Sequence, residues 1–133
     1  MPGVPLEPGI SRDDEFVVEG RLLTSVSGSL RVPVLSTPSM IAMMERNATA
    51  LAREHLPDGK GTVGFEVCVK HVAGAVEGAV CTVSARLREV IDARKLRFDV
   101  EVRAGDRVIG LGTHERRVID LEEHGSRVTG SSA

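Results

Sequence analysis

A single carboxylate stands in the middle of an apolar stretch of this chain. Residues 36–52 are "STPSMIAMMERNATALA", and Glu45 has Ile41 and Ala48 as neighbours about one helical turn away. Burying an ionised carboxylate is costly unless a hydrogen-bond donor meets it, so this position favours a residue with a chemical task. A carboxylate held in such a place can act as a general acid or base.

A hydroxyl and an imidazole are the candidate partners of Glu45. Thr37 precedes it by about two helical turns, and His71 lies on the next predicted strand. A hydroxyl, a carboxylate and an imidazole together are the ingredients of acyl transfer, although spacing alone does not show that they converge. A plainer alternative stays open, in which Glu45 reaches solvent or pairs with Arg46 or Arg53. In that case His71 is an ordinary histidine near the end of a strand.

The other local motifs do not support a competing chemistry. The chain has no GxSxG segment, which a serine hydrolase of the α/β type requires. The segment "DGKGTVG" at 58–64 lacks the spacing of a phosphate-binding loop. Cys68 and His71 fall on opposite faces of a predicted strand, so we expect no metal site. Cys68 and Cys81 are expected to stay reduced.

Composition excludes several classes of function. The chain has 133 residues, of which 41% are hydrophobic and 27% charged, an ordinary composition for one folded domain. The net charge of −2 and the absence of Trp and Tyr argue against nucleic-acid binding. The apolar runs are too short to span a bilayer, and residues 1–10 lack the features of a signal peptide. The expected compartment is therefore the cytoplasm.

One helix and a series of strands account for most of the sequence. Thr37 is predicted to cap the helix, with Pro38 at its first position, and "PDGKG" at 57–61 ends it. Before the helix, "FVVEGRLL" at 16–23 is a strand candidate. After it the apolar period changes to two. The strands predicted from that period are 62–71, 78–91, 95–103 and 107–121.

The order of these elements predicts an α+β fold. In 95–103 apolar and charged residues alternate almost perfectly, which indicates an antiparallel sheet with one solvated face. A helix that is apolar around most of its circumference is not a surface helix. We therefore expect a curved antiparallel sheet of about five strands wrapped around one long central helix. Residues 14–123 form this predicted domain, with an extended arm at 1–13 and a flexible tail at 124–133.

Three blocks of sequence follow one another on the helix, the next strand and the last strand. They are "STPSMIAMMERNA", "GTVGFEVCVKH" and "GLGTHERRVIDLE". With the layout, they resemble the hotdog-fold acyl-CoA thioesterases, in particular the fluoroacetyl-CoA thioesterase-like family, from about residue 14 to 123. The resemblance implies that a sheet wraps the central helix and that two protomers join their sheets edge to edge. It also implies hydrolysis of an acyl-CoA to a free acid and coenzyme A.

The resemblance assigns roles to five residues. Thr37, Glu45 and His71 resemble the threonine, glutamate and histidine of the family and are the predicted catalytic residues. Gly64 matches the position whose backbone N–H helps to hold the thioester carbonyl, and Arg116 matches an arginine near the site. We expect no metal and no cofactor, since coenzyme A is part of the substrate. The expected partners are an acyl-CoA and a second copy of the chain, with pairing into tetramers left open, and neither nucleic acid nor membrane.

One stretch departs from the family. The fluoroacetyl-CoA enzymes carry phenylalanines ahead of the threonine that line the acyl pocket, whereas "SGSLRVPVL" at 27–35 has no aromatic residue. The resemblance therefore does not extend to selectivity for a fluorinated acyl group. An alternative hypothesis is a non-catalytic hotdog module that binds acyl-CoA or a carrier-bound acyl group. A hydratase on the same fold ranks last, because the Asp-x4-His pair of those enzymes is absent. The candidate pocket or lid residues are Leu30, Val32, Val34 and Leu35.

Overall fold

The computed structural model describes residues 5–129 of the chain, with side chains as far as residue 125. Neither of the two α-helices in this part of the chain combines the length and the apolar character needed to cross a membrane. The elements in chain order are β1 (Ser11–Val17), a 3₁₀ turn (Gly20–Leu22), β2 (Leu23–Thr24), β3 (Val34–Leu35), α1 (Thr37–Arg53), β4 (Lys60–His71), β5 (Val80–Ile91), β6 (Lys95–Ala104), β7 (Arg107–Asp120) and α2 (Leu121–Thr129).

Five of the strands form one antiparallel sheet around α1. Its order is β1-β5-β6-β7-β4, while β2 and β3 form a separate two-stranded sheet. The helix contacts both edge strands, β1 and β4, as well as β5 and β6, so the sheet curves around it. The predicted α+β architecture, one long helix wrapped by five antiparallel strands, is confirmed.

The hydrophobic core lies between α1 and the sheet. The alternation over 95–103 predicts the inward face of β6 correctly, because each apolar residue in that range is at most 3% exposed. These buried residues of β6 are Leu96, Phe98, Val100 and Val102. They pack in one cluster with the buried apolar side chains of the helix, which are Met40, Met44, Ala48, Leu51 and Ala52.

A buried amide ties β1 to the helix. Asn47 is only 2% exposed, and its Nδ2 donates to the backbone carbonyl of Arg12 at 3.2 Å and to Asp14 Oδ2 at 2.8 Å. Hydrogen bonds from Arg12 and from Asn47 lower the pKa of the Asp14 carboxyl. Because these contacts are long-range in sequence, they fix the first strand on the central helix.

The N-terminal part of the domain starts earlier than the sequence predicts. Residues 11–17 pair with β5, so β1 begins inside the predicted arm 1–13. The strand candidate at 16–23 is wrong: only its first two residues belong to β1, and a 3₁₀ turn interrupts it. Residues 1–4 lie outside the described residues.

The C-terminal part is helical where a tail is expected. Helix α2 covers residues 121–129, although the sequence predicts a flexible tail from residue 124. Asp120 Oδ1 accepts a hydrogen bond from the Glu123 backbone N–H at 3.0 Å, which caps the start of this helix. Residues 130–133 of the predicted tail lie outside the described residues.

Strand β4 is the exposed edge of the sheet beside the helix. Its register shifts between Gly64 and Glu66, which makes Phe65 the extra residue of a β-bulge. Phe65 is 58% exposed and Val67 36%, so these apolar side chains are not covered by the core. Cys68 is exposed on this strand, while Cys81 is buried on β5 and separated from it by β6 and β7. Both cysteines are free, as predicted.

Candidate functional site

The start of α1 leaves the Thr37 hydroxyl free for a partner outside the helix. The N-cap is Ser36, whose Oγ accepts a hydrogen bond from the Ser39 backbone N–H at 3.1 Å. The sequence prediction that Thr37 caps the helix is therefore wrong by one residue. Thr37 Oγ1 instead lies 2.7 Å from His71 Nδ1.

The His71 imidazole is engaged through one nitrogen. His71 is the last residue of β4 and is half-buried, and Thr37 is exposed. His71 Nε2 is shielded from solvent and has no hydrogen-bond partner among the residues that the structure describes. The Thr37 hydroxyl is thus the link between the imidazole and the surface.

Glu45 lies at the rim of the sheet and not deep inside the protein. Its side chain is 42% exposed, which corrects the expectation of a buried carboxylate. The reason is that this face of α1 points to the edge strand β4. A Cβ built on Gly64 of β4 would lie 2.8 Å from Glu45 Oε2, so the missing side chain makes room for the carboxylate.

A buried arginine lies beside that carboxylate. Arg116 on β7 is 7% exposed, and its Nη1 lies 3.8 Å from Glu45 Oε2. Its Nε donates to Thr62 Oγ1 at 2.8 Å and its Nη2 to the Thr62 carbonyl at 3.1 Å. Burial lowers the pKa of the Arg116 guanidinium and the Glu45 carboxylate opposes this shift, but arginine still keeps its proton in a protein.

Sequence reasoning missed a histidine at the same place. His114 is 2% exposed, and its Nε2 lies 3.2 Å from Arg116 Nη1. The signal was present in "GTHER", because residues two apart on a strand share a face and Arg116 is already a candidate. Thr62, the other partner of Arg116, had no comparable signal, since its role depends on the pairing of β4 with β7.

The predicted site residues form two separate groups in this chain. Thr37 and His71 make one group, which we call the hydroxyl–imidazole pair. Glu45, Gly64 and Arg116 make the other, the carboxylate cluster. Thr37 and Glu45 lie eight residues apart on α1, which is a distance of about 12 Å along the helix. Gly64 and His71 lie seven residues apart on β4, which is roughly 23 Å along the strand. Among the described residues, no hydrogen bond or ion pair joins Glu45 to Thr37 or His71.

The predicted acyl-pocket residues differ in how far they are exposed to solvent. Leu35 is 1% exposed and belongs to the core cluster, which removes it from a pocket or lid. Val34 is half-buried in β3. Leu30 is 39% exposed and Val32 is 55% exposed, so both are free to contact a ligand.

The chemistry available here is that of a hydroxyl, a general base and an anchored carboxylate. An imidazole hydrogen-bonded to a hydroxyl can transfer a proton to or from that hydroxyl. A carboxylate beside a guanidinium can activate water as a general base. Within residues 5–125, His, Cys, Asp and Glu side chains form no group of three arranged to hold a metal ion.

Comparison with known proteins places this chain among thioesterases. The sequence matches the family model of the fluoroacetyl-CoA-specific thioesterase over residues 17–122. The fluoroacetyl-CoA thioesterase of Streptantibioticus cattleyicolor is 38% identical over 95 residues, which are 71% of this chain and 68% of that protein.

Solved structures agree with this match. A structure of the fluoroacetyl-CoA thioesterase superposes with a TM-score of 0.85 at 29% identity, over 98% of this chain and all of the other. A phenylalanine-to-alanine variant of that enzyme, in complex with fluoroacetate and CoA, gives 0.80 at 30% identity, over 90% and 99% of the chains. A thioesterase-superfamily protein of Thermus thermophilus gives 0.84 at 22% identity, over 94% and 92%, and supports the fold alone.

Proposed function

Because the chain belongs to the fluoroacetyl-CoA-specific thioesterase family and is a thioester hydrolase, we propose that it cleaves an acyl-CoA by means of Thr37, Glu45 and His71. The products are a free acid and coenzyme A. The observation that carries this assignment is the 2.7 Å contact between Thr37 Oγ1 and His71 Nδ1, which pairs a hydroxyl at the protein surface with a base. A thioester is an activated carbonyl, so modest catalytic assistance is enough.

The carboxylate cluster supplies the attack on the carbonyl carbon. Glu45 acts as a base that takes a proton from the attacking water, or it attacks the carbonyl itself to form an anhydride that water then hydrolyses. Arg116 holds the carboxylate in place. The backbone N–H of Gly64 donates to the oxyanion of the tetrahedral intermediate. A donor in that role contributes about 3 kcal/mol to the transition state.

The hydroxyl–imidazole pair relays a proton to the leaving thiolate. The Thr37 hydroxyl gives its proton to the sulfur and takes one from Nδ1 of a protonated His71, and solvent returns a proton to the imidazole after turnover. His71 Nε2 is shielded, so the route from the imidazole to the substrate runs from Nδ1 through the Thr37 hydroxyl. The C–S bond breaks as the intermediate collapses, and the sulfur of coenzyme A takes the proton. Thr37 therefore takes a direct part in the proton transfer.

A homodimer brings the two groups into one site. Strand β4 is an edge strand with exposed Phe65 and Val67, which fits pairing with β4 of a second copy. We place the two-fold axis of this pairing at the middle of the segment between Gly64 and His71. An antiparallel two-fold pairing about that middle therefore sets Gly64 of one protomer opposite the partner's His71. Each dimer then has two sites, each built from both protomers.

Two substitutions test the catalytic assignment. Glu45→Gln and His71→Ala are each expected to lower the rate of thioester hydrolysis by about a hundredfold or more while the fold persists. The assay follows free thiol release from acyl-CoA, with circular dichroism as the control for folding. Full activity in both variants would refute the assignment, and binding of acyl-CoA without any turnover in the wild type would favour a non-catalytic module.

The acyl group is the next unknown to measure. The segment at 27–35 presents aliphatic Leu30 and Val32 to solvent, which favours an aliphatic acyl group. A panel from acetyl-CoA to long-chain acyl-CoA, with fluoroacetyl-CoA included, ranks kcat/KM for each substrate. The two free cysteines support a cytoplasmic location as part of the same proposal.

A further inference from the structure

The buried His114 lies behind the carboxylate cluster, and its Nε2 contacts Arg116 Nη1 there. We propose that His114 is a positioning residue, which holds the Arg116 guanidinium against Glu45 and fixes the β4 bulge that carries Gly64. This inference rests on the proposed function, because it concerns how the carboxylate of that site is held.

The hydrogen bonds of His114 define its tautomer. Nδ1 lies 2.8 Å from the Glu66 backbone carbonyl, and because a carbonyl only accepts, Nδ1 carries the hydrogen. Nε2 lies 3.2 Å from Arg116 Nη1, which only donates, so Nε2 offers a lone pair. The imidazole is therefore neutral. Burial lowers the pKa of His114, and the charge of Arg116 lowers it further, which agrees with this assignment.

The Arg116 guanidinium is held on all sides by these contacts. Thr62 accepts from its Nε and Nη2, and its Nη1 lies between His114 Nε2 at 3.2 Å and Glu45 Oε2 at 3.8 Å. A half-exposed glutamate has several rotamers of similar energy. A guanidinium that cannot move selects among them, because only one arrangement places the carboxylate beside Nη1.

The second hydrogen bond of His114 acts on the strand that faces the carboxylate. The Glu66 carbonyl lies directly after the β-bulge, and the register shift occurs between Gly64 and Glu66. A bulge bends its strand and re-aims the groups next to it. One imidazole thus connects the backbone near the proposed oxyanion donor with the arginine beside the proposed base.

Three variants at this position separate the two bonds from simple core filling. His114→Phe keeps a ring beside Phe98 but removes both hydrogen bonds, and we expect kcat to fall by about tenfold or more with KM unchanged. His114→Gln retains a donor and an acceptor and is expected to restore kcat to within about threefold of wild type. The side chain of His114→Asn is too short to reach Arg116, so this variant is expected to resemble His114→Phe. It replaces His114→Phe in the experiment if the Phe variant does not fold. A folded Phe or Asn variant with wild-type kcat would overturn the inference.

A double-mutant cycle decides whether His114 acts through Glu45. We measure single-turnover rates for Glu45→Gln, His114→Phe and their combination, with His114→Asn replacing Phe if needed. If His114 positions Glu45, its replacement changes the rate of the Glu45→Gln enzyme by less than about twofold. If the rate losses of the two single variants multiply in the double variant, His114 acts independently of Glu45 as a structural residue. That result would overturn this inference but not the proposed function. Full activity of Glu45→Gln would instead remove Glu45 from the proposed catalytic residues, and it would overturn this inference as well.

Discussion

At the residue scale, the absence of a side chain at Gly64 leaves the space that the Glu45 carboxylate occupies. A Cβ there would lie 2.8 Å from Glu45 Oε2 and 3.5 Å from Arg116 Nη1, so the carboxylate would have to move. The φ angle of Gly64 is outside the left-handed region, and alanine therefore fits the backbone at this position.

We predict that Gly64→Ala folds but loses about a hundredfold in kcat, because a displacement of about 1 Å in a catalytic group has that effect. The matched control is Gly74→Ala, whose new Cβ would meet only Val34 Cγ1 at an ordinary 3.6 Å. Free thiol release measures both rates. A Gly64→Ala enzyme as active as the Gly74→Ala control would show that the carboxylate has no fixed place in the reaction.

A second prediction concerns the hydroxyl of Thr37. Thr37→Val keeps the shape of the side chain and removes its contact with His71 Nδ1, and we expect kcat to fall by about tenfold or more. Thr37→Ser keeps the hydroxyl and should retain most of the activity. Equal rates in the Val and Ser variants would mean that the hydroxyl takes no part in proton transfer.

At the scale of the element, the cap of α1 places Thr37. Ser36→Ala removes the acceptor for the Ser39 backbone N–H, and we expect the free energy of unfolding to fall by about 1 kcal/mol. Urea denaturation measures this loss. Ser11→Ala at the exposed start of β1 is the control, expected to stay within about 0.5 kcal/mol of wild type. A Ser36→Ala protein as stable as that control would argue that the cap contributes nothing.

The sequence predicts those elements best whose apolar period is unbroken. Alternation alone locates β6 and its buried face, and the Pro38 signal locates the start of α1 to within one residue. The burial of β4 is not predictable in this way, because Phe65 is apolar but lies in a bulge at an edge. The local pattern of apolar residues contains no information about which strand lies at the edge of the sheet.

The candidate site is predictable as a set of residues but not as a geometry. Thr37, Glu45 and His71 are predicted from their types and from the resemblance, whereas Gly64 and Arg116 are predicted from the resemblance alone. That Glu45 lies at a rim, and that His114 supports Arg116, follows from the long-range pairing of β4 with β7. Such pairing depends on the whole chain, and no local window specifies it.

At the scale of the whole molecule, stability should report the neutral state of His114. Its pKa lies below the ordinary 6.5 because of burial, so between these values the unfolded chain binds a proton that the folded chain rejects. The free energy of unfolding is therefore expected to fall as the pH drops below about 6.5, by at most about 1.4 kcal/mol per pH unit from this group. The charges facing the ring are those of Arg116 and Glu45.

The difference between wild type and His114→Gln isolates that contribution. The variant should lose the part of the pH dependence that begins near 6.5, and it should keep the part below about 3.8, where the lowered pKa of Asp14 makes protonation unfavourable in the folded state. Urea denaturation at a series of pH values measures both. Parallel curves for the two proteins between pH 7 and 5 would contradict a buried, neutral His114.

The most direct measurement for the whole account is the activity of a purified heterodimer. One protomer carries Thr37→Val and the other Glu45→Gln, with different tags to isolate the mixed species. If each site combines the hydroxyl–imidazole pair of one protomer with the carboxylate cluster of the other, one of its two sites is intact. The account predicts about half of the wild-type rate per dimer. A heterodimer no more active than the Thr37→Val and Glu45→Gln homodimers would contradict it.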